Sequence, residues 1–112
     1  MELSDAQFKE SVYDYDVGEI RASRPVMAEL FTDWCAACKS LAPTLDKMAQ
    51  KFEGRVDIIK VNITKSDALT SAMDIQGVPT LLFFRPETKS RQTMVGATSS
   101  ALVEKAITDY LL

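Results

Sequence analysis

An apolar run, Val26-Met27-Ala28-Glu29-Leu30-Phe31, leads directly into Trp34-Cys35-Ala36-Ala37-Cys38-Lys39, and no other junction constrains the chain as much. Cys35 and Cys38 are the 2 cysteines of a 112-residue sequence, and their spacing suits a reversible disulfide. After them Cys38, Leu41, Ala42, Leu45, Met48, Ala49 and Phe52 recur at helical spacing. The pair therefore belongs at a strand-to-helix junction, with Cys35 at or near the first helical position. Unpaired N–H groups and the positive end of the helix dipole favour a thiolate there. Cys38 lies on the same face, deeper in the helix. One exposed, acidified sulfur beside one recessed sulfur is the arrangement that thiol–disulfide exchange requires.

The totals bound the alternatives. At 112 residues a single core and a single domain, 1–112, are expected. An apolar share of 46% is ordinary for a globular chain and argues against disorder. The net charge of −3 gives no support for nucleic-acid binding, which shows a clustered basic surface. No apolar run is long enough to insert in a membrane. The N-terminus reads Met1-Glu2-Leu3-Ser4-Asp5, without the basic and apolar regions of a signal peptide. The expectation is a cytoplasmic protein, or a periplasmic one if a signal or anchor has been removed. A structural zinc site is disfavoured, because the chain has no histidine and no second cysteine pair.

The remaining segments alternate between helix and strand signals. Ser4 and Gln7 form a capping-box pair, and Leu3 and Phe8 sit where a hydrophobic staple closes. Phe8, Val12 and Tyr15 mark the buried face of that first helix, and Gly18 ends it. Val56 to Ile63 is a β-branched strand; with the cysteine helix between, it forms a right-handed parallel βαβ unit with Val26–Phe31. Pro43 inside that helix predicts a kink. Ser66 or Asp67 caps a short helix through Leu69, Ala72 and Met73, which Gln76-Gly77 breaks. Thr80 to Phe84 and Gln92 to Val95 are antiparallel strands joined by the polar turn from Arg85 to Ser90. Thr98 or Ser99 caps a final helix whose apolar face is Leu102, Ala106, Ile107, Tyr110 and Leu111. Glu29 is the anomaly: a carboxylate in a central apolar strand needs a partner or a task. Lys60, on the adjacent strand, is its candidate partner.

Cys38-Lys39-Ser40-Leu41-Ala42-Pro43, Lys60-Val61-Asn62-Ile63, Gly77-Val78-Pro79-Thr80 and Val95-Gly96 come in the order and near the spacing seen in the thioredoxin superfamily. From about Phe8 to Leu112 the chain resembles that family. The resemblance implies an α/β thioredoxin fold: a mixed four- to five-stranded sheet with helices on both faces. The first strand is shortened, because only Met1 to Leu3 precede the first helix. It also implies a thiol–disulfide oxidoreductase that reduces protein disulfides through Cys35 as nucleophile and Cys38 as resolving thiol. Glu29, with Lys60 beside it, matches the family's buried acid and is expected to relay the Cys38 proton. Trp34, Ile63, Gly77, Val78, Pro79 and Gly96 are expected to form a shallow rim that takes an extended segment of the partner. Pro79 is expected in a cis peptide.

The implied partners are protein disulfides and a thioredoxin reductase or other electron donor, with a monomeric chain and no metal or organic cofactor. Ala36-Ala37 departs from the Gly-Pro of most members. Since the intervening pair controls reduction potential, the direction of electron flow stays open. Two other readings stand beside the first: a dedicated electron-transfer module serving one partner, and a redox-inert interaction domain.

Overall fold

The computed structural model describes residues 1–96 and 99–112. In chain order the elements are β1 (Glu2–Leu3), α1 (Asp5–Ser11), β2 (Tyr13–Asp14), β3 (Glu19–Ile20), β4 (Val26–Phe31) and α2 (Ala36–Lys51). They continue with β5 (Asp57–Asn62), α3 (Asp67–Ala72), β6 (Thr80–Arg85), β7 (Ser90–Val95), α4 (Ser100–Ala106) and a π-helical extension, Ile107–Leu111. A five-stranded sheet has the order β1-β5-β4-β6-β7. β4 and β5 are parallel, with α2 as the crossover, and β6 and β7 return antiparallel. β1 adds only two residues beside β5, so the first strand is short, as expected.

Alternation along the strands divides the interior in two. Val26, Ala28 and Leu30 of β4, Ile59 and Val61 of β5, and Leu82 and Phe84 of β6 pack with Phe8 and Leu69 on one face. Met27, Ile58, Leu81 and Phe83 point the other way, against Leu41, Leu45 and Met48 of α2 and Val103 and Ile107. Glu29 and Lys60 share the parity of Met27 and Ile58, so both face the α2 side of the sheet. α2 is held to the last helix by a Thr44–Ser100 hydroxyl contact of 2.8 Å and a Lys51–Glu104 ion pair of 2.9 Å.

Local signals explain the helix starts. Ser4 caps α1 in a reciprocal box with Gln7, while Leu3 packs on the cluster that contains Phe8. Ser99 accepts the Leu102 N–H at the start of α4; Thr98, the other candidate cap, lies outside the described residues. Ser66 takes the N-cap position of α3 without a side-chain cap bond. That helix ends at Ala72, before Gln76-Gly77, and Asp74 takes a left-handed conformation there (φ 52°).

Two expectations are corrected. The first helix stops at Ser11, well before Gly18, because β2 and β3 fold into a small antiparallel hairpin. The hairpin turns Tyr13 onto Phe84, with ring centroids 5.1 Å apart, which closes the first cluster. Gly18, at φ 71°, serves the turn between these strands. In the final helix Leu102 is 54% exposed, and Val103 is fully buried in its stead. The buried row is Val103, Ile107 and Leu111, with Ala106 and Tyr110 along its edge. Residues four apart drift around a helix of about 3.6 residues per turn. The wider π winding at Ile107–Leu111 keeps this row on the sheet. Val103→Ala should therefore cost about 2 kcal/mol of stability, and Leu102→Ala less than about 0.5 kcal/mol. Urea midpoints of the two variants check this; equal losses would contradict the assigned row.

Candidate active site

The end of the sheet that carries the cysteines is set by topology. The carboxyl ends of parallel strands β4 and β5 meet there, as ligand crevices of open α/β sheets do. The register pairs Leu30 with Thr80 and Thr80 with Val95, bringing the start of β6 and the end of β7 to the same place. Trp34-Cys35, Ile63, Pro79 and Gly96 thus come from separate segments to one end of the molecule.

Cys35 is the N-cap of α2, and Ala36, Ala37 and Cys38 form its first turn. The Cys38 N–H donates to Cys35 Sγ at 3.0 Å, as it would to a capping serine. The Cys35 N–H is held by the Thr32 carbonyl at 3.2 Å. Cys35 and Cys38 are joined by a disulfide, with Cα atoms 5.3 Å apart. In this oxidised form both cysteines are 6% exposed, so the expected contrast between an open and a recessed sulfur is absent. The asymmetry lies instead in hydrogen bonding, since the helix N-terminus is aimed at Cys35 Sγ. Pro43 sits inside α2, where it withdraws a donor from the Lys39 carbonyl.

Glu29 is 2% exposed and directly opposite Lys60 in the parallel register. The ion pairs among the described residues join other partners, so Glu29 and Lys60 are neighbours without a salt bridge. Glu29 Oε2 is buried with no hydrogen-bond partner. Burial pushes the carboxyl up to about 7, against the opposing pull of the Lys60 ammonium. Glu29, Lys60, Cys35 and Cys38 line one cleft of about 360 Å³ together with Glu2, Phe31, Thr32, Asp33, Lys39 and Ala42.

The other candidate residues are graded in exposure. Trp34 is 72% exposed beside the cysteines. Gly77, Val78 and Gly96 are half-buried and Pro79 is buried. The Val78–Pro79 peptide is cis, and the Pro79 carbonyl accepts the Gly96 N–H at 2.9 Å. Gly96 has φ 97°, a conformation that favours glycine. Ile63 is 6% exposed within the first core cluster, so its side chain supports this end of the sheet from inside and does not face an open rim.

Sequence reasoning missed the clamp on the loop before Cys35. The Asp33 N–H donates to Thr64 Oγ1 at 3.0 Å, and Asn62 Nδ2 donates to Asp33 Oδ1 at 2.7 Å. The Thr64 N–H closes the set on Asn62 Oδ1 at 3.0 Å. The legible signal was Asn62 at the end of a strand two residues before Thr64, the spacing of an Asx turn.

Comparison with known proteins agrees with this geometry. The family model for thioredoxin matches residues 1–109. The chain is 30% identical over 110 residues to "Thioredoxin 1" of Nostoc sp., covering 98% of this chain and 95% of the relative. It is 31% identical over 111 residues to a thioredoxin of Borreliella burgdorferi, covering 96% and 94%. With a thioredoxin of Acidithiobacillus ferridurans it shares 33% over 99 residues, covering 88% and 91%. With a match that runs almost end to end across a redox-type cysteine pair, the chain belongs to the thioredoxin family.

Proposed function

We propose that this thiol–disulfide oxidoreductase reduces protein disulfides with Cys35 as the attacking thiolate and Cys38 as the resolving thiol. The observation that carries the assignment is the Cys38 N–H on Cys35 Sγ at the α2 N-terminus. Cys35 attacks one sulfur of the partner's disulfide and the other sulfur leaves as a thiolate. Cys38 then loses its proton and attacks Cys35 Sγ, breaking the intermolecular bond and forming the Cys35–Cys38 bridge. The partner leaves with both of its sulfurs reduced, and an upstream dithiol donor such as a thioredoxin reductase returns two electrons to the bridge.

Glu29 is the base for Cys38, with Lys60 tuning its charge; the shared cleft and the unpartnered Oε2 support this role. Trp34, Gly77, Val78, Pro79 and Gly96 receive an extended segment of the partner, the Val78 backbone pairing with it as an added strand, and Ile63 backs them from the core. Residues 1–112 act as one domain and as a monomer. That reading is supported by helices of the same chain covering both sheet faces. No helix among the described residues is long and apolar enough to cross a membrane. A cytoplasmic setting fits a cysteine pair that cycles between oxidation states.

Insulin reduction measured with and without a thioredoxin reductase and its electron source tests the proposal. Sustained turnover only with the reductase is the expected result. Poor turnover despite a reducible bridge would assign the chain to a dedicated carrier of one partner. An inert bridge would leave only an interaction domain.

A further inference from the structure

The hydrogen bonds among Asp33, Asn62 and Thr64 close a ring. The Asp33 N–H donates to Thr64 Oγ1, the Thr64 N–H to Asn62 Oδ1, and Asn62 Nδ2 to Asp33 Oδ1. Asp33 is therefore bound by its backbone and by its carboxylate at once, both times to the end of β5 and the residues after it. Its place in the chain makes that significant. Asp33 precedes the N-cap Cys35 by two residues and lines the same cleft. The first turn of α2 contains no acidic residue, so Asp33 is the carboxylate nearest to that turn in sequence. The N–H groups of Ala36 and Ala37 stand in this turn and have no acceptor within the helix. Such donors, with the positive end of the dipole, favour any anion close to them, a carboxylate as well as a thiolate. A free Asp33 carboxylate would compete with the Cys35 thiolate for them and repel it. Bonded to Asn62, it makes no hydrogen bond to α2 among the described residues.

We propose that Asn62 is a positioning residue for the Cys35 thiolate: by holding the Asp33 carboxylate at the end of β5, it keeps a competing anion off the N-terminus of α2. The inference rests on Cys35 being the attacking thiolate. Thr64 completes the device. Its hydroxyl fixes the backbone of Asp33, and its N–H fixes the Asn62 amide with the NH2 group turned to Asp33. The other charged or titratable groups around the cleft are Glu29 of β4, Cys38 and Lys39 of α2, Lys60 of β5 and Glu2 of β1. None of these side chains bonds to the ring among the described residues, so changes in the ring leave them in place.

The test follows alkylation of the reduced protein by limiting iodoacetamide across a pH series. The thiolate displaces iodide, so the midpoint of the rate profile belongs to the reacting thiol, and peptide mass identifies that cysteine. Asn62→Ala should raise the Cys35 midpoint by about half a pH unit, the size expected of a surface charge at a helix terminus. Asn62→Asp keeps an acceptor for the Thr64 N–H but has no donor for Asp33, and should raise the midpoint at least as far. Exchanging the pair, Asp33→Asn with Asn62→Asp, restores a bond between the side chains and moves the charge to β5. The midpoint should then return to the parent value. Asp33→Asn should also bring it back in the Asn62→Ala background, while shifting it much less in the parent. A loop that has merely loosened would not be repaired by removing a charge. An unmoved midpoint in Asn62→Ala and Asn62→Asp overturns the proposal, as does an exchange variant as high as Asn62→Asp. Equal shifts from Asp33→Asn with and without Asn62 also overturn it, because Asn62 would then exert no control over the charge. Cys38 labelled first in the parent protein overturns the nucleophile assignment itself.

Discussion

Cys35→Ser should abolish disulfide reduction, whereas Cys38→Ser should keep the first attack and halt the reaction at a mixed disulfide with the partner. The difference follows from where each sulfur sits. Cys35 occupies the N-cap of α2 and receives the Cys38 N–H, so a negative charge on its sulfur meets a donor and the positive end of the dipole. The dipole's influence falls off within the first turn, and Cys38 is already at its third residue. A serine hydroxyl at 35 has no comparable anion to offer near neutrality, and Cys38 is not at the cap to replace it. Removing Cys38 deletes only the intramolecular attack, which is fast because the bridge partners are held together by the helix. Gel shift of trapped species under non-reducing conditions reads the outcome. A trapped adduct through Cys38 in the Cys35→Ser variant would reverse the assignment.

The parts of this fold that were legible in the sequence are those where one strong period has a single solution. Leu41, Leu45 and Met48 recur on one helical face, and every one of them is buried. Apart from Glu29, the strand from Val26 to Phe31 is apolar because both of its faces are covered. Glu29 stood out against that background for the same reason. Its neighbour Lys60 could be named because a parallel crossover sets the two strands side by side, and the register puts the two residues opposite each other.

What escaped had no period to read. β2 and β3 have two residues each, too few for alternation, and the stacking of Tyr13 on Phe84 joins residues far apart in sequence. The final helix carried two plausible apolar rows, 102/106/110 and 103/107/111. The choice between them was made by the depth of Val103 against the sheet and by the π winding after Ala106. At the site, the cysteines and the buried acid were visible as residue types out of their usual context. The Asp33–Asn62–Thr64 clamp was not, since ordinary polar loop residues acquire meaning only through the atoms they happen to join.

Glu29→Gln should slow the resolving step by up to about 10²-fold, within the range for a lost acid–base group, and should change how stability depends on pH. The kinetic argument concerns two routes to the Cys38 thiolate. In one the Glu29 carboxylate accepts the proton; in the other the thiol ionises unaided. Below about 7, where the carboxyl is held by burial, both routes weaken together as pH falls, so the defect reaches a plateau. As pH rises toward the ordinary thiol value of about 8.5, unaided ionisation catches up and the defect shrinks.

The stability argument uses the oxidised protein. Unfolded, Glu29 titrates near its ordinary 4.5; folded, it holds its proton to about 7. Between those values the unfolded chain binds fewer protons than the folded one, so stability falls as pH rises. Below that window both states are protonated and the penalty vanishes; above it the full penalty remains. Glutamine carries no such penalty, so Glu29→Gln should gain on the parent chain through the window, by about 3 kcal/mol at its upper end. Guanidinium unfolding of both proteins at a series of pH values measures the difference directly. A constant difference across the window, with resolution kinetics unchanged, would leave Glu29 as a structural residue facing Lys60.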